Sequence, residues 1–170
     1  FDGCAAFYMG GIGRLNDAVG GVTVSVLDDY PFTDVPDGWN MYPGQDVTLT
    51  GRQARLYIQA RRGDATGNED RMKRQKQYML ALISQAKDRV AASPASVVPL
   101  YNAVSDYVLT DLDLGKLSYL ATQAAGMSFS GDMLRVTGDA VLGQGNRVEL
   151  TVDQEALYDL ILDVFYEEIP

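Results

Sequence analysis

The sequence predicts an α/β layered protein, and three observations lead there. Period-two segments such as Val22-Thr23-Val24-Ser25-Val26 and Arg147–Val152 lie between segments of helical period. The helical segments open on capping residues, Thr50, Asp113 and Asp153. Stretches rich in glycine and proline separate the two kinds of segment, and helices interleaved with strands pack as layers.

In chain order, residues 3–18 read as a helix entered through small residues and closed by Gly20-Gly21. The alternation at 22–26 is a strand. Residues 28–42, dense in proline, glycine and aspartate, read as a loop or short hairpin. Thr50 caps a short helix over 51–60, on which Ala54, Tyr57, Ile58 and Arg61 share a face. A polar loop at 63–69 leads into a long helix over 69–91, which ends before Ser93-Pro94. Residues 96–107 look helical, and Asp113 caps a helix over 114–125 with Gly126 behind it. Met133–Thr137 and Arg147–Val152 read as strands joined by the Gly143-Gln144-Gly145-Asn146 turn. Asp153 opens a closing helix with Leu157, Leu160, Ile161, Val164 and Phe165 on one stripe. No repeat or linker interrupts the pattern, so a single domain over 1–170 is expected.

Composition narrows the chemistry. With 46% apolar and 22% charged residues the chain is globular. It has no histidine, which removes imidazole acid/base chemistry, Ser-His and Cys-His nucleophile pairs and nearly all zinc sites. Cys4 is the sole cysteine; it excludes an intrachain disulfide and reads as a small core residue. No signal peptide is visible, and no apolar run approaches the roughly 18 residues that cross a bilayer. The net charge of −9 argues against nucleic acid as the principal partner.

Against that acidic background, basic residues crowd the segment from Gly51 to Gln85. On the long helix, positions 71, 75, 79, 82, 86 and 90 follow one face, apolar from Met79 onward and opened by Arg71 and Gln75. An arginine on a buried stripe is costly unless something pairs with it, and the start of a helix already favours an anion. Arg74 lies one step round, and Arg61 ends the apolar stripe of the preceding helix. Forked guanidiniums suit phosphate oxygens, so this set reads as a phosphate or pyrophosphate clamp with apolar walls. Competing readings stay open: an ion pair of Arg71 with Asp64, Glu69 or Asp70, and a magnesium site at Asp64, Asn68, Glu69 and Asp70. Asp28-Asp29, Asp111/Asp113 and Glu167-Glu168 read as caps or solvated neighbours. Gly10-Gly11-Ile12-Gly13 reads as helix packing or a turn, and Tyr30, Phe32, Trp39 and Tyr42 as core cover or a ligand lip.

At these residues the chain resembles the LytR-CpsA-Psr family of bacterial cell-envelope proteins. Leu15-Asn16-Asp17-Ala18-Val19-Gly20-Gly21-Val22 looks like the family's helix-to-strand junction, D-x-x-GGV. Residues 49–61 resemble its L-x-G-x-x-A-L-x-Y-x-R-x-R segment. Asp64, Gly67, Arg71, Arg74 and Gln75 fall on its D…G…R-x-x-R-Q signature. The resemblance implies a three-layer α/β/α sandwich with a mixed central sheet, of which 1–170 would be the C-terminal part, lacking the N-terminal strands.

The same resemblance implies a phosphotransferase that moves an anionic glycopolymer, such as teichoic acid or capsule, from an undecaprenyl-pyrophosphate carrier to peptidoglycan. Arg61 and Arg71 would be catalytic, and Arg61, Arg71, Arg74, Gln75 and Gln59 would bind substrate, Gln59 standing where the family has an arginine. Magnesium (Mg2+) is the implied cofactor, with its ligands upstream of this chain. Location on the extracytoplasmic face of the membrane, through a single-pass anchor ahead of the chain, is likewise implied. Two rivals follow: a non-catalytic module that binds polyprenyl phosphate or cell-wall polymer, and a transcriptional attenuator, as the family's older names suggest. The acidic charge and the lack of a basic recognition helix weigh against the second.

Overall fold

A computed structural model of the 170-residue chain describes residues 3–28, 41–60, 67–128, 134, 136–142 and 148–167. The chain forms two compact units, residues 1–129 and 130–170. Helices and short strands alternate through it, as expected of the α/β class.

In the first unit, β1 (Ala5–Phe7) leads through a 3₁₀ turn at Met9–Gly11 into α1 (Ile12–Ala18). β2 (Val22–Ser25) and β3 (Asp46–Leu49) follow, then α2 (Gly51–Gln59), α3 (Gly67–Ala92) and α4 (Val97–Val104). β4 (Val108–Thr110) and α5 (Leu114–Ala125) close the unit. β1 pairs with β4 and β2 with β3, both antiparallel. The second unit holds β5 (Gly138–Leu142), its antiparallel partner β6 (Val148–Val152) and α6 (Gln154–Phe165). Among the described residues the strands thus form three two-stranded ladders.

The core of the first unit gathers where β2 and β3 meet α1, α2 and α3. β2 buries Val22 and Val24 and exposes Thr23 and Ser25, the pattern its alternation requires. Leu49, Ala54, Tyr57 and Tyr78 complete this core with at most 1% exposure. Gly20 and Gly21 hold φ of +96° and +88°, a region costly for a side chain, and turn α1 directly into β2. Gln85 Nε2 donates to the Val19 and Gly21 carbonyls at 3.2 and 2.7 Å and ties that turn to α3.

The helix starts match the capping residues. Gln53 Oε1 accepts the Thr50 N–H at 2.6 Å, Asp113 accepts from Lys116 N–H at 2.8 Å, and Asp153 accepts from Glu155 and Ala156 N–H. Other expectations are corrected. Residues 3–18 are not one helix, because Ala5–Phe7 pair with Val108–Thr110, a partner far along the chain. Cys4 is exposed beside that ladder, not in the core. β5 begins at Gly138 rather than Met133, in register from Gly138↔Val152 to Leu142↔Val148. On α6, Leu157 and Leu160 are half-buried, whereas Ile161, Val164 and Phe165 are exposed. Residues 29–40, with Tyr30, Phe32 and Trp39, lie outside the described residues; Met41 beside them is buried and Tyr42 exposed.

Candidate functional site

The basic segment builds its site where α2 ends and α3 begins. α2 buries Ala54, Tyr57 and Ile58, as its stripe predicts. α3 buries Leu82 and Val90 as expected, with Ala86 packed against the core, but its first turns present a different face. Arg74, Tyr78, Leu82 and Val90 are its buried positions, while Met79 is 48% exposed and Arg71 and Gln75 are half-buried. The N-terminal part of the stripe runs through 74 and 78 instead of 71, 75 and 79, so the arginine set in the core is Arg74 rather than Arg71.

Arg74 is 0% exposed. Its Nε donates to the Tyr57 carbonyl at 2.9 Å, its Nη2 donates to the Ala60 carbonyl, and its Nη1 makes an ion pair with Asp28 Oδ2. The guanidinium carbon also lies 5.9 Å from the centre of the Tyr57 ring. A buried arginine is tolerable only with such partners. Asp28 is therefore a specific partner, not a solvated neighbour of Asp29. Beside it, Gln75 Nε2 donates to the Ile58 carbonyl at 3.0 Å.

Polar side chains around this junction extend the network. The Tyr57 hydroxyl donates to Gln77 Oε1 at 2.6 Å, and Gln77 Nε2 donates to the Ser25 carbonyl. Burial pushes the Tyr57 hydroxyl up to about 12 and raises that of Tyr78 as well, since neither phenolate would be hydrated there. Asn16, wholly buried, accepts from Val22 N–H and the Tyr78 hydroxyl and donates to the Leu49 carbonyl. Sequence reasoning passed over Asn16, Gln77 and Gln85. Only the D-x-x-GGV junction signalled that the first of these sits at a constrained place.

Of the residues expected to bind substrate, Gln59 is the exposed last residue of α2 and accepts from Arg55 Nε at 3.3 Å. Arg71 sits near the start of α3, one turn before Gln75. Arg61 and Asp64 lie outside the described residues. Glu69 and Asp70 lie 3.0 and 3.8 Å from Lys73 Nζ, pairs on a solvated lysine that water screens. The hydrogen bond to Glu69 raises the Lys73 pKa. Among the described residues no group of three or more histidine, cysteine or acidic side chains converges. No helix among them is long and apolar enough to cross a membrane.

Fold and site together define a class. The model of the LytR_cpsA_psr family matches residues 2–160, and the chain belongs to that family. It is 31% identical over 139 residues to the polyisoprenyl-teichoic acid–peptidoglycan teichoic acid transferase TagU of Oceanobacillus iheyensis, covering 82% of this chain and 41% of the relative. It is 29% identical over 160 residues to the cell wall biosynthesis protein LcpA of Corynebacterium glutamicum, covering 92% and 30%. Among solved structures, B. subtilis TagV superposes with a TM-score of 0.74 at 23% identity, over 99% of this chain and 66% of that one. The chain thus spans less than half the length of these curated relatives.

Proposed function

We propose that the chain is part of a cell-envelope phosphotransferase that moves an anionic glycopolymer from a polyprenyl-pyrophosphate carrier to peptidoglycan. The observation that carries this reading is the placement of Arg71 and Gln75 on the opening turns of α3, with Gln75 bonded to the C-terminal end of α2. A guanidinium near a helix start suits a pyrophosphate head group, and Gln75 beside it bonds to Ile58, a member of the apolar core. The chain's similarity to the teichoic acid transferase TagU and the cell wall biosynthesis protein LcpA supports the substrate class.

In the proposed transfer, an acceptor hydroxyl oxygen of peptidoglycan bonds to the phosphorus that carries the glycopolymer. The bond from that phosphorus to the bridging oxygen breaks, polyprenyl phosphate leaves, and the hydroxyl proton passes to solvent. Arg71, with Arg61 as its expected companion, offsets charge on the phosphoryl oxygens and the leaving group. Gln75 has a second amide hydrogen beyond the one given to Ile58 and orients the same group. No step is assigned to magnesium, whose ligands would come from outside the described residues. The extracytoplasmic location, with a single-pass anchor, belongs to the same proposal.

A thermal-shift titration with geranylgeranyl pyrophosphate tests it. The wild type should be stabilised and Arg71→Ala should lose the shift; a wild type unmoved by any prenyl phosphate ends the proposal. Gln59, in place of a family arginine, favours a second reading, a module that binds the carrier lipid without turning it over. Transfer assays with magnesium and lipid-linked polymer separate the two, since binding without product supports the second.

A further inference from the structure

We propose that Arg74 is a positioning residue that touches no ligand: it caps the end of α2 from α3 and so holds Gln59 in register with Arg71 and Gln75. This rests on the pyrophosphate reading of those residues. A helix ends on carbonyls that lack an N–H four residues further on. In α2 the Leu56 carbonyl is met by Ala60 N–H. The Tyr57 and Ala60 carbonyls are met by Arg74, and the Ile58 carbonyl by Gln75. A cation at a helix C-terminus also complements the helix dipole.

The third arm of Arg74 reaches Asp28, just past β2, so one side chain on α3 joins α2 to the segment that follows β2. Each of its three nitrogens faces a protein acceptor and the side chain is 0% exposed, which leaves no surface for a phosphate. The three acceptors lie in different directions. A planar fork spans them; a lysine, with one nitrogen, does not.

Two ligand-free and ligand-bound comparisons test this. Without ligand, Arg74→Lys should move the backbone amide resonances of Gln59, Arg71 and Gln75 while those of β1 and β4 stay in place; unmoved resonances at Gln59 and Arg71 overturn the proposal. With geranylgeranyl pyrophosphate, Arg74→Lys should bind at least tenfold more weakly at a temperature where its circular dichroism matches the wild type, although the charge is kept. Wild-type affinity in the folded variant counts against positioning. If the variant does not fold, the labelled wild type decides. A phosphorus–proton coupling to the Arg74 guanidinium overturns the proposal; such coupling at Arg71, with the Arg74 Nε–H protected from exchange, supports it. A wild type that binds no prenyl phosphate defeats the pyrophosphate reading alone, and the ligand-free resonances still decide the role of Arg74.

Discussion

Asn16 joins three segments through one amide, since Val22, Leu49 and Tyr78 all turn a polar group toward it inside the core. Asn16→Ala removes the shared partner and leaves those groups buried. Each such group costs about 1–3 kcal/mol, and we expect a net loss of about 2–4 kcal/mol in urea unfolding. A loss under about 1 kcal/mol would mean that water replaces the amide. At this scale the sequence was only partly legible. That an arginine would sit on an apolar stripe could be read from the helical spacing. Which one could not, because Arg74 is buried by acceptors at Asp28, Tyr57 and Ala60 that spacing along α3 does not reveal.

Among elements, α1 and α2 approach more closely than any pair of side chains would permit. A Cβ on Gly51 would lie 2.3 Å from the Gly13 carbonyl oxygen and 2.5 Å from Asp17 Oδ2, the carboxylate whose other oxygen accepts the Gly51 N–H at 2.7 Å. Gly51→Ala must push the two helices apart, at a cost of about 1–3 kcal/mol, and should lower the melting temperature by several degrees. An unchanged melting temperature would show that the helices separate freely. In the Gly10–Gly13 run, Gly13 is accordingly helix packing, while Gly10 and Gly11 lie in the 3₁₀ turn that follows β1. The caps of α2, α5 and α6 were legible because each is decided within four residues of chain. β1, β3 and β4 were not: β1 and β4 carry no clear apolar alternation, β3 carries less of it than residues 22–26, and all three owe their existence to distant partners. β5 was displaced because it opens on Gly138 and Asp139, poor strand formers that its pairing with β6 overrides.

For the whole molecule, the two buried tyrosines set the response to alkali. Both hydroxyls titrate higher when folded than at their ordinary value of 10.0. Their contribution is therefore complete below about pH 10 and declines as the pH climbs toward the folded values, because the unfolded chain releases these protons first. Urea midpoints measured from pH 8 upward should hold steady and then fall above about pH 10, and Tyr57→Phe should flatten the fall. An unchanged slope in that variant would assign the fall to other groups. With no histidine in the chain, no imidazole titrates in the neutral range to complicate the profile.

The junction of α2 and α3 also bears on the order in which the chain assembles. α2 is 9 residues long, too short to persist alone in water. Two of its closing carbonyls, those of Tyr57 and Ile58, are satisfied by side chains 17 residues further on. Its last turn thus has to wait for α3 to be made and to dock. The two helices therefore close as one cooperative unit across a short stretch of chain, whereas the β1–β4 ladder has to join segments at opposite ends of the first unit.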